Sequence, residues 1–197
     1  MADQKHFNLG NAWGRVQSAK PEKSDNNKPY LSIKVNCAGA GRGNVYAYGR
    51  IWGQERIDRF TSLFKENPNA IFRFRGFFNQ YQNRNGDTLS NYTWHEFDLD
   101  PKGEPRAAFV LKGKLTEYDE MGGTVSLDIT MAGNGNNSAR TESFTVHLGG
   151  GLSVDSEIGG MVDLKGYLQQ GDGEDEFGDV EGPVRPVVQK VKAAVPF

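Results

Sequence analysis

The chain has a single cysteine, Cys37, among its 197 residues. No intramolecular disulfide is available, and a reducing cellular compartment is the expected setting. The three histidines, His6, His95 and His147, are not spaced as metal ligands. With no second cysteine to join them, a structural zinc site is not expected. No apolar run approaches the ~20 residues of a membrane-spanning helix. The opening stretch Met1–His6 leads into no apolar targeting segment, so a cytoplasmic protein without membrane association is expected. Prolines are few, 8 against 25 glycines, a balance that suits a β-rich chain with many turns and bends.

Catalytic signatures are also missing. The glycine-rich run 39–43 lacks the lysine-Ser/Thr pair of a phosphate-binding loop. It reads instead as a turn between strands that would bring Arg42 near a phosphate. No Gly-x-Ser-x-Gly nucleophile elbow occurs. The acidic run from Asp172 to Glu181 lacks the ligand spacing of a calcium loop. No catalytic residue, cofactor or metal is expected, and a binding protein fits better than an enzyme.

The net charge of −2 hides an uneven distribution. Residues 1–100 carry 14 Lys and Arg against 10 Asp and Glu, a net of +4; residues 101–197 carry the remainder, a net of −6. Aromatics follow the cations, with 16 of 22 in the first half. A basic, aromatic half joined to an acidic half suggests a binding module and a second module with another role.

Periodicity divides the first half into strands at Ala12–Ala19, Tyr30–Ala38 and Val45–Trp52, then a helix at Gln54–Glu66. Ile57, Phe60, Leu63 and Phe64 lie on one face of that helix, and Pro68 stops it. Strands at Ala70–Gln82 and Leu89–Leu99 follow, joined through the Asn85-Gly86 hairpin signal. The linker Asp100–Pro105 comes next. The second half repeats the plan with strands at Ala107–Tyr118, Thr124–Ala132, Thr141–Leu148, Met161–Gln170 and Val184–Val195. The glycine-rich stretch Gly149–Gly160 stands in the helix's place as a loop or very short helix. Gly14 and Gly113 correspond, as do Gly76 and Gly166, which suggests internal repetition. Five strands with a helix between the third and fourth is the pattern of an oligonucleotide/oligosaccharide-binding (OB) barrel. The expected fold is therefore mainly β: two consecutive five-stranded OB-like barrels, over 1–100 and 101–197, the first with a helix between its third and fourth strands.

Successive strand residues point to opposite faces. One face of each first-half strand is then small or aliphatic, apart from the phenylalanines of the fourth. The other interleaves aromatics with cations: Trp13 and Arg15; Tyr30 and Lys34; Tyr46, Tyr48, Arg50 and Trp52; Arg73, Arg75, Phe77 and Tyr81. In the last strand the same alternation puts Tyr92, Trp94 and Glu96 outward. Arg84 lies in the hairpin between the last two strands. Rings offer faces on which any base can stack, and cations neutralise phosphates. Aromatics also favour strands for cross-strand packing alone, so Trp13 or Trp94 could plug a barrel end.

On Trp13-Gly14-Arg15, the run Tyr46–Trp52 and Phe72-Arg73-Phe74-Arg75-Gly76, the first half resembles the OB domain of single-stranded DNA-binding proteins. The whole chain resembles tandem-OB versions of phages and mobile elements. The resemblance implies sequence-tolerant binding of single-stranded DNA in replication, recombination or repair. It also implies a second barrel for self-association or for recruiting replication or recombination proteins. The closing Pro196-Phe197 is similar to the tip of bacterial members, although Lys190 and Lys192 stand where those carry acids. Two alternatives use the same aromatic face: a protein–protein interaction module, and an oligosaccharide-binding barrel. No residue distinguishes RNA from DNA.

Overall fold

The computed structural model describes residues 6–38, 45–84, 86, 88–132, 138–171 and 182–193. The chain is mainly β. In order, the elements are β1 (Phe7–Lys23), β2 (Pro29–Asn36), β3 (Tyr46–Trp52), α1 (Gln54–Glu66), β4 (Ile71–Gln82), β5 (Thr88–Leu99), β6 (Arg106–Asp119), β7 (Thr124–Met131), β8 (Arg140–Leu148), β9 (Met161–Gly171) and β10 (Gly182–Ala193). Among the described residues no helix is long and apolar enough to cross a membrane. The expected turn at 39–43, the acidic run 172–181 and the terminal Pro196-Phe197 lie outside the described residues.

Two compact units form. One comprises Met1–Leu9, Phe109–Tyr167 and Arg185–Phe197; the other comprises Gly10–Ala108 and Leu168–Val184. In the latter, β1 pairs antiparallel with β2 and β4, and β2 with β3. β3 then lies parallel to β5, which is antiparallel to β4. The order β2-β3-β5-β4-β1 is thus closed by the β1–β2 pairing. In the other unit the order is β6-β7-β8-β10-β9, with an additional β6–β9 pairing and a parallel β8–β10 pair.

The two orders match strand for strand, and the irregularities match as well. β1 shifts register between Val16 and Ser18 against β2; β6 shifts between Leu115 and Glu117 against β7. Each shift follows two residues after a glycine, Gly14 or Gly113. A Cβ on Gly14 would lie 2.0 Å from the Asn36 carbonyl oxygen, and one on Gly113 2.6 Å from that of Asp128. Gly76 and Gly166 repeat the device on later strands, 1.8 Å from the Thr93 oxygen and 2.2 Å from the Val187 oxygen. No side chain fits so close to a neighbouring backbone, so these four strand positions require glycine.

Helix α1 packs by the face its spacing predicts. Ile57 and Phe60 are buried, and Leu63 and Phe64 are half-buried. Phe60 meets Phe97 edge-on at 5.3 Å and lies 5.7 and 5.8 Å from Phe72 and Phe74. Such aromatic pairs contribute ~0.5–1.5 kcal/mol each beyond their area burial. At its end, the Asn67 backbone N–H and side-chain Nδ2 both donate to the Leu63 carbonyl at 3.1 Å. Pro68 then prevents continuation.

β5 departs from the expected alternation. Arg75 pairs with Glu96, but Gly76 pairs with Trp94, so His95 is an extra residue with no partner across the ladder. This β-bulge reverses the parity of everything before it. Tyr92 and Trp94 therefore face inward with Phe97, all buried, while His95 and Glu96 are both exposed. Trp94 stacks on Tyr92 at 4.4 Å with the planes 11° apart. A Cβ on Gly49 would lie 2.0 Å from Trp94 Nε1, so the indole occupies the space that this glycine leaves open.

Candidate nucleic-acid interface

On β2 and β3 the outward side chains meet in register: Tyr30 opposite Trp52, Ser32 opposite Arg50, Lys34 opposite Tyr48, and Asn36 opposite Tyr46. Their inward neighbours Leu31, Ile33, Val35, Ala47 and Ile51 are buried, which fixes the face. A one-residue slip would bury the charges, so the register is strongly specified. Lys34 Nζ lies 4.0 Å from the ring centre of Tyr46 and 5.6 Å from that of Tyr48. Arg50 lies 5.1 Å over Tyr30, and Tyr30 packs against Trp52 at 4.7 Å. Among the described residues neither Lys34 nor Arg50 is ion-paired.

The parallel β3–β5 pair sets Arg50 beside Thr93, and β4 sets Phe77 on the far side of Thr93. The face thus runs from β2 across β3 and β5 to β4. Tyr48 is 48% exposed, Tyr81 46% and Phe77 39%, so part of each ring is open to solvent. Arg84 is exposed in the β4–β5 hairpin. Arg50, Trp52, Asn79, Gln80, Tyr81, Asn91 and Thr93 line a groove of about 270 Å³.

Other predicted site residues have different surroundings. Trp94 is fully buried, so it cannot stack on a ligand; its assignment to the outer face is corrected by the bulge at His95. Tyr30 is only 8% exposed, with its hydroxyl donating to Glu22 and its ring packed against that of its cross-strand partner Trp52. That hydrogen bond first, and then burial, raise the Tyr30 pKa. Trp13 donates from Nε1 to Asp100 at 3.1 Å, and Arg106 lies 4.1 Å over its ring. Its indole is therefore engaged within this unit. Arg15 is exposed beside a second groove of about 230 Å³ formed with Gln17, Asn36, Ala38, Ile71 and Pro105.

Arg73 and Arg75 are exposed, but each faces a carboxylate across the strand pair. Arg73 is 3.2 Å from Asp98, which Arg59 also approaches at 3.6 Å, and Arg75 is 3.8 Å from Glu96. Arg42 lies outside the described residues. Sequence reasoning missed Asn79, Asn91, Thr93 and His95. Asn79 shares the parity of Phe77 and Tyr81 and was accessible to the same alternation; the other three required knowledge of the bulge. The His95 ring meets Phe77 edge-on at 4.7 Å. Partial desolvation of the ring, and then Arg56, lower its pKa, while Glu96 acts the other way.

The β7–β8 face of the other unit is different in kind. On the outward side of β7–β8, hydroxyls pair across the strands. Ser126 bonds Thr145 at 2.9 Å, Thr130 bonds Thr141 at 3.0 Å, and Ser143 donates to Asp128 at 2.6 Å. Among the described residues no cluster of His, Cys, Asp and Glu is placed to hold a metal ion.

No protein-family model matches the chain, and no curated protein matches it. Solved structures do. The wild-type single-stranded DNA binding protein from Thermus aquaticus superposes with a TM-score of 0.62 at 12% identity, covering 98% of this chain and 95% of that one. The fold is of the OB type. A deletion variant of the same Thermus aquaticus protein superposes with a TM-score of 0.60 at 14% identity, covering 98% of this chain and 97% of its own. At such identity the fold is shared while most side chains differ.

Proposed function

We propose that the chain is a non-enzymatic, single-stranded DNA-binding protein built from two OB-like barrels, over 1–100 and 101–197. The observation that carries this reading is one continuous sheet face. On it, exposed Tyr48, Phe77 and Tyr81 lie among Lys34 and Arg50, cations with no ion pair among the described residues. Rings supply stacking for unpaired bases at ~1–3 kcal/mol each, and the cations supply phosphate contacts. Binding is sequence-tolerant because every base has a π-face. The fold held in common with the Thermus aquaticus protein supports the same reading. Repetition of strand order, bulges and glycines supports a duplicated barrel.

The second barrel carries a hydroxyl ladder on β7–β8. Self-association or recruitment of replication or recombination proteins is its proposed role. The acidic second half fits that role better than it fits nucleic acid. The proposed setting is DNA replication, recombination or repair in the cytoplasm, in a phage or mobile element. The direct test is the double variant Tyr48→Ala, Trp52→Ala. Loss of two stacking contacts predicts roughly 30-fold or weaker binding to a single-stranded oligonucleotide. Unchanged binding by a folded double variant refutes the site. Absence of oligonucleotide binding by the unaltered chain at low salt favours the protein-interface alternative.

A further inference from the structure

The groove between Trp52 and Tyr81 contains more amide than a stacking platform needs. Asn79, Gln80 and Asn91 line it with Thr93 and Arg50. Asn79 and Asn91 are cross-strand partners, and Thr93 pairs with Phe77 two residues along. Stacking needs only rings, and phosphate contact needs only cations. Side-chain amides are the groups that hydrogen-bond base edges.

The orientation of Asn79 is fixed by its neighbours. Its Nδ2 lies 3.1 Å from Thr93 Oγ1 and 3.5 Å from the Phe77 carbonyl oxygen. A backbone carbonyl only accepts, so the atom facing it must be the amide nitrogen. That nitrogen is committed within the sheet. The carbonyl oxygen Oδ1 is the group Asn79 has left to offer a ligand, and it accepts only. On a splayed base, the matching donors are exocyclic amino groups: N4 of cytosine, N6 of adenine and N2 of guanine. Thymine and uracil have no amino group; they carry an acceptor oxygen at position 4, and their one ring donor, N3–H, is flanked by carbonyl oxygens that would face Oδ1.

Resting on the reading above that this face binds single-stranded DNA, we infer that the groove is a base-selective subsite. It takes one unstacked base bearing an exocyclic amino group, with Asn79 Oδ1 as the acceptor that selects it. Thr93 is a positioning residue that holds the Asn79 amide in its selective orientation. Binding over the rest of the face is sequence-tolerant, so the selectivity is that of one position within the bound strand.

The test compares two oligodeoxythymidine strands, one carrying a single deoxycytidine and the other a deoxyuridine at the same place. The two bases have nearly the same ring but differ at position 4. Affinities are read by fluorescence anisotropy, and the quantity of interest is their ratio within each protein. In the unaltered chain the deoxycytidine strand should bind about three- to tenfold more tightly, the value of one hydrogen bond. The ratio should fall toward one in Asn79→Leu. It should also fall in Thr93→Val, which keeps the shape and removes Oγ1. A ratio of one in the unaltered chain, with both strands bound tightly, overturns the inference and leaves the proposed function standing. A ratio that survives in both variants also overturns it. Failure of every strand to bind refutes the proposed function and this subsite with it.

Discussion

Salt dependence can separate the cations that meet phosphates from those that only resemble them in sequence. Lys34 and Arg50 are unpaired among the described residues, whereas Arg73 and Arg75 each sit within 4 Å of a carboxylate. An arginine already facing a carboxylate releases few counterions when a phosphate approaches. For single strands, each phosphate contact contributes about 0.7 to the slope of log affinity against log salt. Losing one contact therefore flattens the fall in affinity between 50 and 200 mM salt by roughly 2.6-fold, and losing two by roughly 7-fold. Lys34→Ala combined with Arg50→Ala should reduce the slope by about 1.4. Arg73→Ala combined with Arg75→Ala should leave it nearly unchanged. The assay is an anisotropy titration of a labelled single strand at four or more salt concentrations. Equal slope losses in the two double variants would refute the argument, and so would a loss confined to Arg73 and Arg75.

Two further outcomes follow from other parts of the structure. Gly76→Ala would place a Cβ 1.8 Å from the Thr93 carbonyl oxygen, whereas Gly150→Ala meets nothing within 4 Å. Chemical denaturation should show the first destabilised by about 1–3 kcal/mol or more and the second nearly neutral. Partial desolvation lowers the pKa values of His95 and His147, aided by Arg56 and Arg185 respectively. Between those lowered values and the ordinary 6.5, the unfolded chain binds more protons than the folded one. Stability is then present at neutral pH and is lost as pH falls below about 6.5. Thermal melts from pH 7 down to 5.5 should show a decline that the double variant His95→Gln, His147→Gln reduces; an identical decline in that variant contradicts the assignment.

The parts of the fold that local chemistry dictates were legible in the sequence. Helix α1 could be read because four apolar residues fall on one face and Pro68 ends it. The inner and outer faces of β2, β3 and β4 followed from strict alternation over seven or more residues. β1 runs well past its expected Ala12–Ala19, because its ends carry polar residues while its pairing with β2 extends to Lys23. What alternation could not reveal was a change of parity. The bulge at His95 leaves no mark in β5's residue types, yet it moves Trp94 from the surface to the core. Nor could it reveal pairing partners: Arg73 and Asp98 are 25 residues apart and meet only because β4 and β5 fold in this register. The outward face of β3, which holds Tyr48, Arg50 and Trp52 together, was therefore legible. The outward face was misread on β5, and Arg73 and Arg75 looked free only because their partners were not visible.

Tryptophan fluorescence addresses the aromatic face most directly, because the three indoles have different fates. Trp94 is fully buried, Trp13 is held by Asp100 and Arg106, and Trp52 lies on the proposed stacking face. Titrating a single-stranded oligonucleotide should quench the unaltered protein and leave Trp52→Phe little changed, while the matching duplex, whose bases are not free to stack, should quench neither. Equal quenching by single strand and duplex, or quenching that persists in Trp52→Phe, would contradict the claim that bases stack on this face.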